Sequence, residues 1–142
     1  MAQALPSKIV CSKSTVIKFG ALLLMIGGIS SCATNVIDSA LVRFTYKTDT
    51  VSYWQPAEVT ESTLQGDCED LAVWLRDIIL DEGIDPTEIQ MLEGELYGEP
   101  HMLIRYKGEF IDSFGRHRFY PEFVITKFWS HTKIDHLMAS QI

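Results

Sequence analysis

The run Gly66-Asp67-Cys68-Glu69-Asp70-Leu71-Ala72 constrains this chain more than any other, because it brings together a helix start, a candidate nucleophile and a crowd of carboxylates. Asp67 suits an N-cap, since its side-chain oxygen can accept from the free backbone N–H groups of a first turn, and Asp70 three residues on completes a reciprocal capping box. Leu71, Trp74, Leu75, Ile78 and Ile79 then recur at steps of three and four, one apolar helical face, until Gly83 and Asp85-Pro86 stop it. Cys68 falls on the same inward face, in the first turn, where the positive end of the helix dipole favours a thiolate. The expectation is a thiol with a pKa below the free value of roughly 8.5. Asp70 falls on a polar arc with Asp77 and Asp81, with no basic partner at the adjacent helical spacing.

Downstream, His101 opens the run His101-Met102-Leu103-Ile104-Arg105-Tyr106, and Asp112 lies in Glu109-Phe110-Ile111-Asp112-Ser113-Phe114. Lys107-Gly108 between them reads as a two-residue hairpin turn. That register sets Leu103 opposite Asp112 and makes His101 a diagonal neighbour of Asp112 on one face; a slip of one residue would separate them. A cysteine at a helix start with a histidine and an aspartate on adjacent strands is the geometry of a thiol nucleophile, its base, and the group that orients the base.

At these residues the chain resembles the bacterial transglutaminase-like cysteine peptidases. The resemblance is carried by Tyr53-Trp54-Gln55-Pro56-Ala57-Glu58, GDCEDLA at 66–72, HMLIRY at 101–106 and FIDSF at 110–114, in that order and spacing, over roughly residues 50–115. It implies an α+β fold with a papain-like core, the catalytic helix packed on a small antiparallel sheet. It also implies a Cys-His-Asp triad at Cys68, His101 and Asp112, and a protein or peptide amide as substrate. Trp54 is then a candidate for the substrate groove. Gln55 and Gln65 are alternative oxyanion donors beside the Cys68 backbone N–H, as papain-like sites require. No cofactor is required by this chemistry. The family includes a calcium-dependent adhesin-cleaving branch with acids at these positions, so Asp67 and Glu69 are candidate Ca²⁺ ligands, Ca²⁺ being a hard cation that takes clustered carboxylate oxygens.

The N-terminus reads as an address. Residues 1–18 carry Lys8, Lys13 and Lys18 and no acid, Phe19 to Ile29 is apolar or glycine, and Ile29-Ser30-Ser31-Cys32 follows. The apolar stretch is well short of the roughly 20 residues that span a bilayer. The boundary resembles a lipoprotein signal, which implies cleavage before Cys32, acylation of its thiol, and a membrane-anchored protein on the periplasmic or extracytoplasmic face. The expected organisation is a signal at 1–31, lipid attachment and tether at 32–49, and a peptidase domain at 50–142. Cys11 would leave with the signal and Cys32 would carry lipid, leaving Cys68 as the one free thiol of the mature domain. Losing three lysines and no acid takes the net charge from −7 to about −10, which argues against nucleic acid as a partner.

The remaining readings are coarser. Residues 33–40 are small and polar, as a tether would be, and 41–47 fits either a strand or a helix end. Glu88 to Glu93 alternates like a strand, Gly94 to Pro100 reads as a loop into His101, and 122–129 is rich in β-branched and aromatic residues, as a last strand would be. Gly115 to Arg118 reads as a basic turn on a solvated rim, and His131 and His136 as surface histidines. Two other functions compete: a binding module that keeps the fold without turnover, and a papain-like cell-wall endopeptidase, where the cysteine is usually followed by Ser-Gly, not Glu69-Asp70. The residues are the same for hydrolysis and for acyl transfer to an amine.

Overall fold

A computed structural model describes residues 28–50 and 53–141. The expected signal segment lies outside these residues except for its last four positions. In chain order the elements are helix α1 (Gly28–Arg43), strand β1 (Thr45–Tyr46), helix α2 (Ala57–Thr63), strand β2 (Gln65–Gly66), helix α3 (Cys68–Asp81), strands β3 (Ile89–Leu96), β4 (Glu99–Tyr106), β5 (Glu109–Asp112), β6 (Gly115–His117) and β7 (Phe123–Trp129), and helix α4 (His131–Ser140). β3 to β7 form one antiparallel sheet in the order β6-β5-β4-β3-β7, and β1 pairs with β2 in a separate parallel ribbon.

Helix α3 begins and ends where its residues direct. The capping box between Asp67 and Asp70 is present on both sides, and the chain leaves the helix through Gly83 at a φ of 82°, in the left-handed region that glycine adopts without penalty. Leu71, Trp74, Leu75 and Ile79 are buried, but so are Ala72, Val73 and Arg76. More than one face is covered because α1, α2 and the sheet all pack on this helix. Asp70, expected on the polar arc, is fully buried.

The two faces of the sheet carry separate apolar clusters, as the period-two alternation of a strand requires. Ile89, Met91, Met102, Ile104 and Tyr106 join the main core around α3, whereas Leu92, Leu96, Leu103 and Phe123 form a smaller cluster with Phe110 and Tyr120. The β4–β5 hairpin has the expected register, with Tyr106 opposite Glu109 and Ile104 opposite Ile111. Lys107 and Gly108 have φ values of 50° and 74°, the paired positive angles of a tight hairpin turn.

Three segments differ from expectation. Residues 33–43 are not a tether but the body of α1, which buries Ala33, Ile37 and Ala40 in the main core; three of its residues beyond 40 finish the helix, and Thr45–Tyr46 then form β1, so the 41–47 stretch is both helix end and strand. Gly94 to Pro100 is not a loop: β3 continues to Leu96 and β4 starts at Glu99 around a second tight turn at Tyr97-Gly98, also at positive φ. Arg116 is not a free rim charge, because its guanidinium pairs with Glu109 and donates to Asp38 of α1 at 2.9 Å. No helix among the described residues is long and apolar enough to cross a membrane.

Candidate active site

Cys68 opens α3, and its neighbours explain why. Gly66 just before the cap leaves room for Asp70, since a Cβ there would lie 2.6 Å from the Asp70 carboxylate. Asp70 accepts from the Gln55 backbone N–H at 2.7 Å, from Gln55 Nε2 at 2.6 Å and from the Asp67 N–H at 3.2 Å, tying the start of the helix to the segment before α2. Burial raises the Asp70 pKa, and these hydrogen bonds work against the rise.

This arrangement gives Gln55 a different task from the one expected. One side-chain N–H goes to Asp70 and the amide nitrogen also reaches the Gln65 carbonyl at 3.5 Å, so neither proton is left for an oxyanion. Neither Gln55 nor Gln65 lines the cavity that holds Cys68.

That cavity, of about 340 Å³, is lined by Cys68 and Glu69 of α3, His101 and Met102 of β4, Trp129 and Lys127 of β7, Glu93 and Trp54 among others. His101 is buried and held by Asp112: Nε2 lies 2.9 Å from Asp112 Oδ2, which leaves Nδ1 as the ring nitrogen free to serve a thiol. Asp112 is 2% exposed, and burial alone would raise its pKa. Hydrogen bonds from His101, Tyr120 and the Phe114 N–H instead hold the carboxyl below its ordinary value. The triad candidates thus fall into a bonded His101–Asp112 pair and a cysteine in the same cavity.

Cys68 itself departs from expectation. Its Sγ–H donates to Glu69 Oε2 at 3.0 Å, not to His101. Burial, followed by this hydrogen bond and the Glu69 charge, pushes the thiol up to about 12, although the Met102 backbone N–H works in the opposite direction. The helix dipole is outweighed by burial first and then by Glu69 and Asp67 at its positive end. Asp67 shows the same crowding: burial first, then the charges of Glu69 and Asp70, push its carboxyl up to about 7.

The expected metal pair is rearranged. Ligand oxygens of Asp49, Asp67 and Asp70 lie within 4.8 Å of one another, while Glu69 Oε2 is turned to the cysteine. The donor set fits a hard cation: all oxygen, two of three residues buried, and none with a salt-bridge partner among the described residues.

The sequence matches no family model and no curated protein. Solved structures do match. The chain has the fold of Legionella pneumophila LapG. Three structures of LapG align: one at 17% identity with a TM-score of 0.65 over 79% of this chain and 78% of that chain, the calcium-bound form at 17% and 0.67 over 78% and 80%, and the EGTA-treated form at 16% and 0.63 over 79% of each. The α+β, transglutaminase-like architecture expected from the sequence is therefore present, and at this identity the likeness to LapG speaks for the fold alone.

Other residues of the site left little trace in the sequence. Trp54 does line the cavity, packed against Trp129 with ring centroids 4.8 Å apart, and the Trp129 indole N–H donates to Glu93 at 2.7 Å. Alternation along β7 places Lys127 beside Trp129 on that wall, with its ammonium 3.8 Å from the ring centroid. His131 is not a loose surface histidine: Arg76 Nε donates to its Nδ1 at 2.8 Å, and its Nε2 meets the Ile89 carbonyl at 3.0 Å, so it joins α3, α4 and β3. Cys32 is buried in α1, and Cys68 is the free cysteine among the described residues.

Proposed function

We propose that the chain is a thiol-dependent amide hydrolase acting on a protein or peptide, with Cys68 as nucleophile, His101 as base and Asp112 as the group that orients the base. The observation that carries this is the 2.9 Å His101–Asp112 bond beside a cavity shared by His101 and Cys68. Asp112 holds the Nε2 proton, so Nδ1 takes the Cys68 proton once the sulfur turns from Glu69. The thiolate adds to the amide carbonyl carbon, and the oxyanion faces the Cys68 backbone N–H at the start of α3. His101 returns its proton to the departing amine as the C–N bond breaks. Water, deprotonated by His101, then cleaves the thioester and regenerates the thiol; an amine in place of water gives transfer by the same residues.

Asp49, Asp67 and Asp70 would hold Ca²⁺, whose charge would offset Asp67 and Glu69, the acids that add to burial in raising the Cys68 thiol. The calcium-bound and EGTA-treated forms of LapG lend support to a cation in this fold.

Export and anchoring belong to this proposal and rest on the sequence. Intact mass of the membrane-extracted protein tests this: acylated Cys32 adds lipid mass to a chain that begins at residue 32, and a chain without that mass overturns the anchoring.

The test is digestion of a peptide library by the full chain in calcium-containing buffer, read by mass spectrometry. Cleavage is expected, and it should vanish in Cys68→Ala. Cleavage that persists in Cys68→Ala, or its absence from the wild type, would sink the hydrolase reading.

A further inference from the structure

Asp112 is approached by more donors than a histidine needs. His101 Nε2 and the Tyr120 hydroxyl both lie 2.9 Å from Oδ2, and the Phe114 N–H lies 2.9 Å from Oδ1. Tyr120 comes from the segment between β6 and β7, eight residues beyond Asp112 and far in sequence from the helix start that carries Cys68. Its ring is fixed from two sides. His117 stacks on it at 4.1 Å with planes 23° apart, and Phe123 meets it at 6.2 Å. Phe123 also packs edge-on against His101 at 6.1 Å.

The fold protects this arrangement at a specific point. Gly94 lies opposite His101 in the β3–β4 ladder, and a Cβ there would sit 2.9 Å from the Phe123 ring and 2.2 Å from the Val124 carbonyl oxygen. The absence of a side chain at 94 is what lets Phe123 lie between His101 and Tyr120. Oδ1 is held by the Phe114 N–H, with His117 Nε2 at 3.4 Å, so the Tyr120 hydroxyl is the second donor that fixes Oδ2, the oxygen that His101 shares.

We infer that Tyr120 is a positioning residue for the proposed reaction: its hydroxyl fixes the Asp112 carboxylate in the rotamer that holds His101 with Nδ1 facing the cavity. This rests on the triad reading given above. The perturbed titrations agree, since Tyr120 is raised by burial and by its bond to Asp112, and that same bond helps lower Asp112.

The experiment is a double-mutant cycle on the full chain, reading the rate of Cys68 carboxamidomethylation by iodoacetamide at neutral pH in calcium-containing buffer, with thermal midpoints as fold controls. Tyr120→Phe should slow alkylation about tenfold, the loss of one hydrogen bond to a charged group. In an Asp112→Asn background it should cost nothing further, because the residue through which it acts is already disabled. Tyr120→Phe at the wild-type rate, or an equal slowing in both backgrounds, overturns the assignment of Tyr120. Asp112→Asn at the wild-type rate overturns the triad reading itself, a different outcome. A second measurement does not depend on the folding of Tyr120→Phe: the ¹³Cζ resonance of Tyr120 should move between wild type and Asp112→Asn, and an unmoved resonance also overturns the inference.

Discussion

Asp67 offers the sharpest quantitative consequence. Its carboxyl is pushed up to about 7 by burial and by Glu69 and Asp70, against roughly 3.9 in an unfolded chain. A carboxyl raised on folding contributes stability that is fully present below the unfolded value and is lost as pH climbs through the folded one. A shift of about three units sets a ceiling of roughly 4 kcal/mol, and sharing of the titration with its acidic neighbours brings the expected loss to about 2 kcal/mol between pH 4.5 and 8. For a domain of this size that is about 8 °C in thermal midpoint. The assay is thermal unfolding over that range in chelator, comparing wild type with Asp67→Asn, which keeps an equally good N-cap and removes the charge. Wild type should lose stability as pH rises while Asp67→Asn loses less by about 2 kcal/mol. Asp112, whose carboxyl is lowered, runs the other way and titrates below this window. Added Ca²⁺ should remove or reverse the wild-type decline, because ionised Asp67 then has a partner. Parallel profiles for the two proteins in chelator, or identical wild-type profiles with Ca²⁺ and without, would refute the reasoning.

Other consequences follow from packing and bonding. Gly94→Ala drives a methyl into the Val124 carbonyl and the Phe123 ring, so urea unfolding should show a loss of about 1–3 kcal/mol. Asp70→Ala leaves the Gln55 and Asp67 donors without their acceptor and should cost about 2–3 kcal/mol, with the helix start exchanging amide protons faster. Arg76→Met removes bonds to His131, Asp77 and Asp135, and because both aspartates stay partly exposed the expected cost is about 2 kcal/mol by thermal melting.

What could be read from the residues was whatever had a short-range physical cause. The cap at Asp67, the end at Gly83 and the turn at Lys107-Gly108 are local chemistry, and the turn fixed the register that brings His101 to Asp112. Helix α1 escaped notice because its core stripe is Ala33, Ile37 and Ala40, whose alanines resemble the small residues of a tether until α3 is there to pack on them. The turn at Tyr97-Gly98 was hidden because tyrosine is an uncommon residue at positive φ. The thiol's protonation is not legible for another reason: burial, which raises it most, and the bend of Glu69 back to the sulfur both depend on the folded chain. His131 acts through Arg76, 55 residues away, and Tyr120 reaches Asp112 across the turn after β6, so no helical or strand spacing announces either.

The central claim is that His101 governs Cys68. It is tested most directly by the pH dependence of Cys68 alkylation, followed by intact mass, in calcium-containing buffer, for wild type and His101→Ala. The account predicts that wild-type Cys68 reacts at pH 6–7 faster than a free thiol, that His101→Ala loses this reactivity by at least tenfold, and that chelator suppresses the wild-type rate toward that of a buried, protonated thiol. Profiles that superimpose for wild type and His101→Ala would contradict it, leaving Cys68 as a buried cysteine with no base.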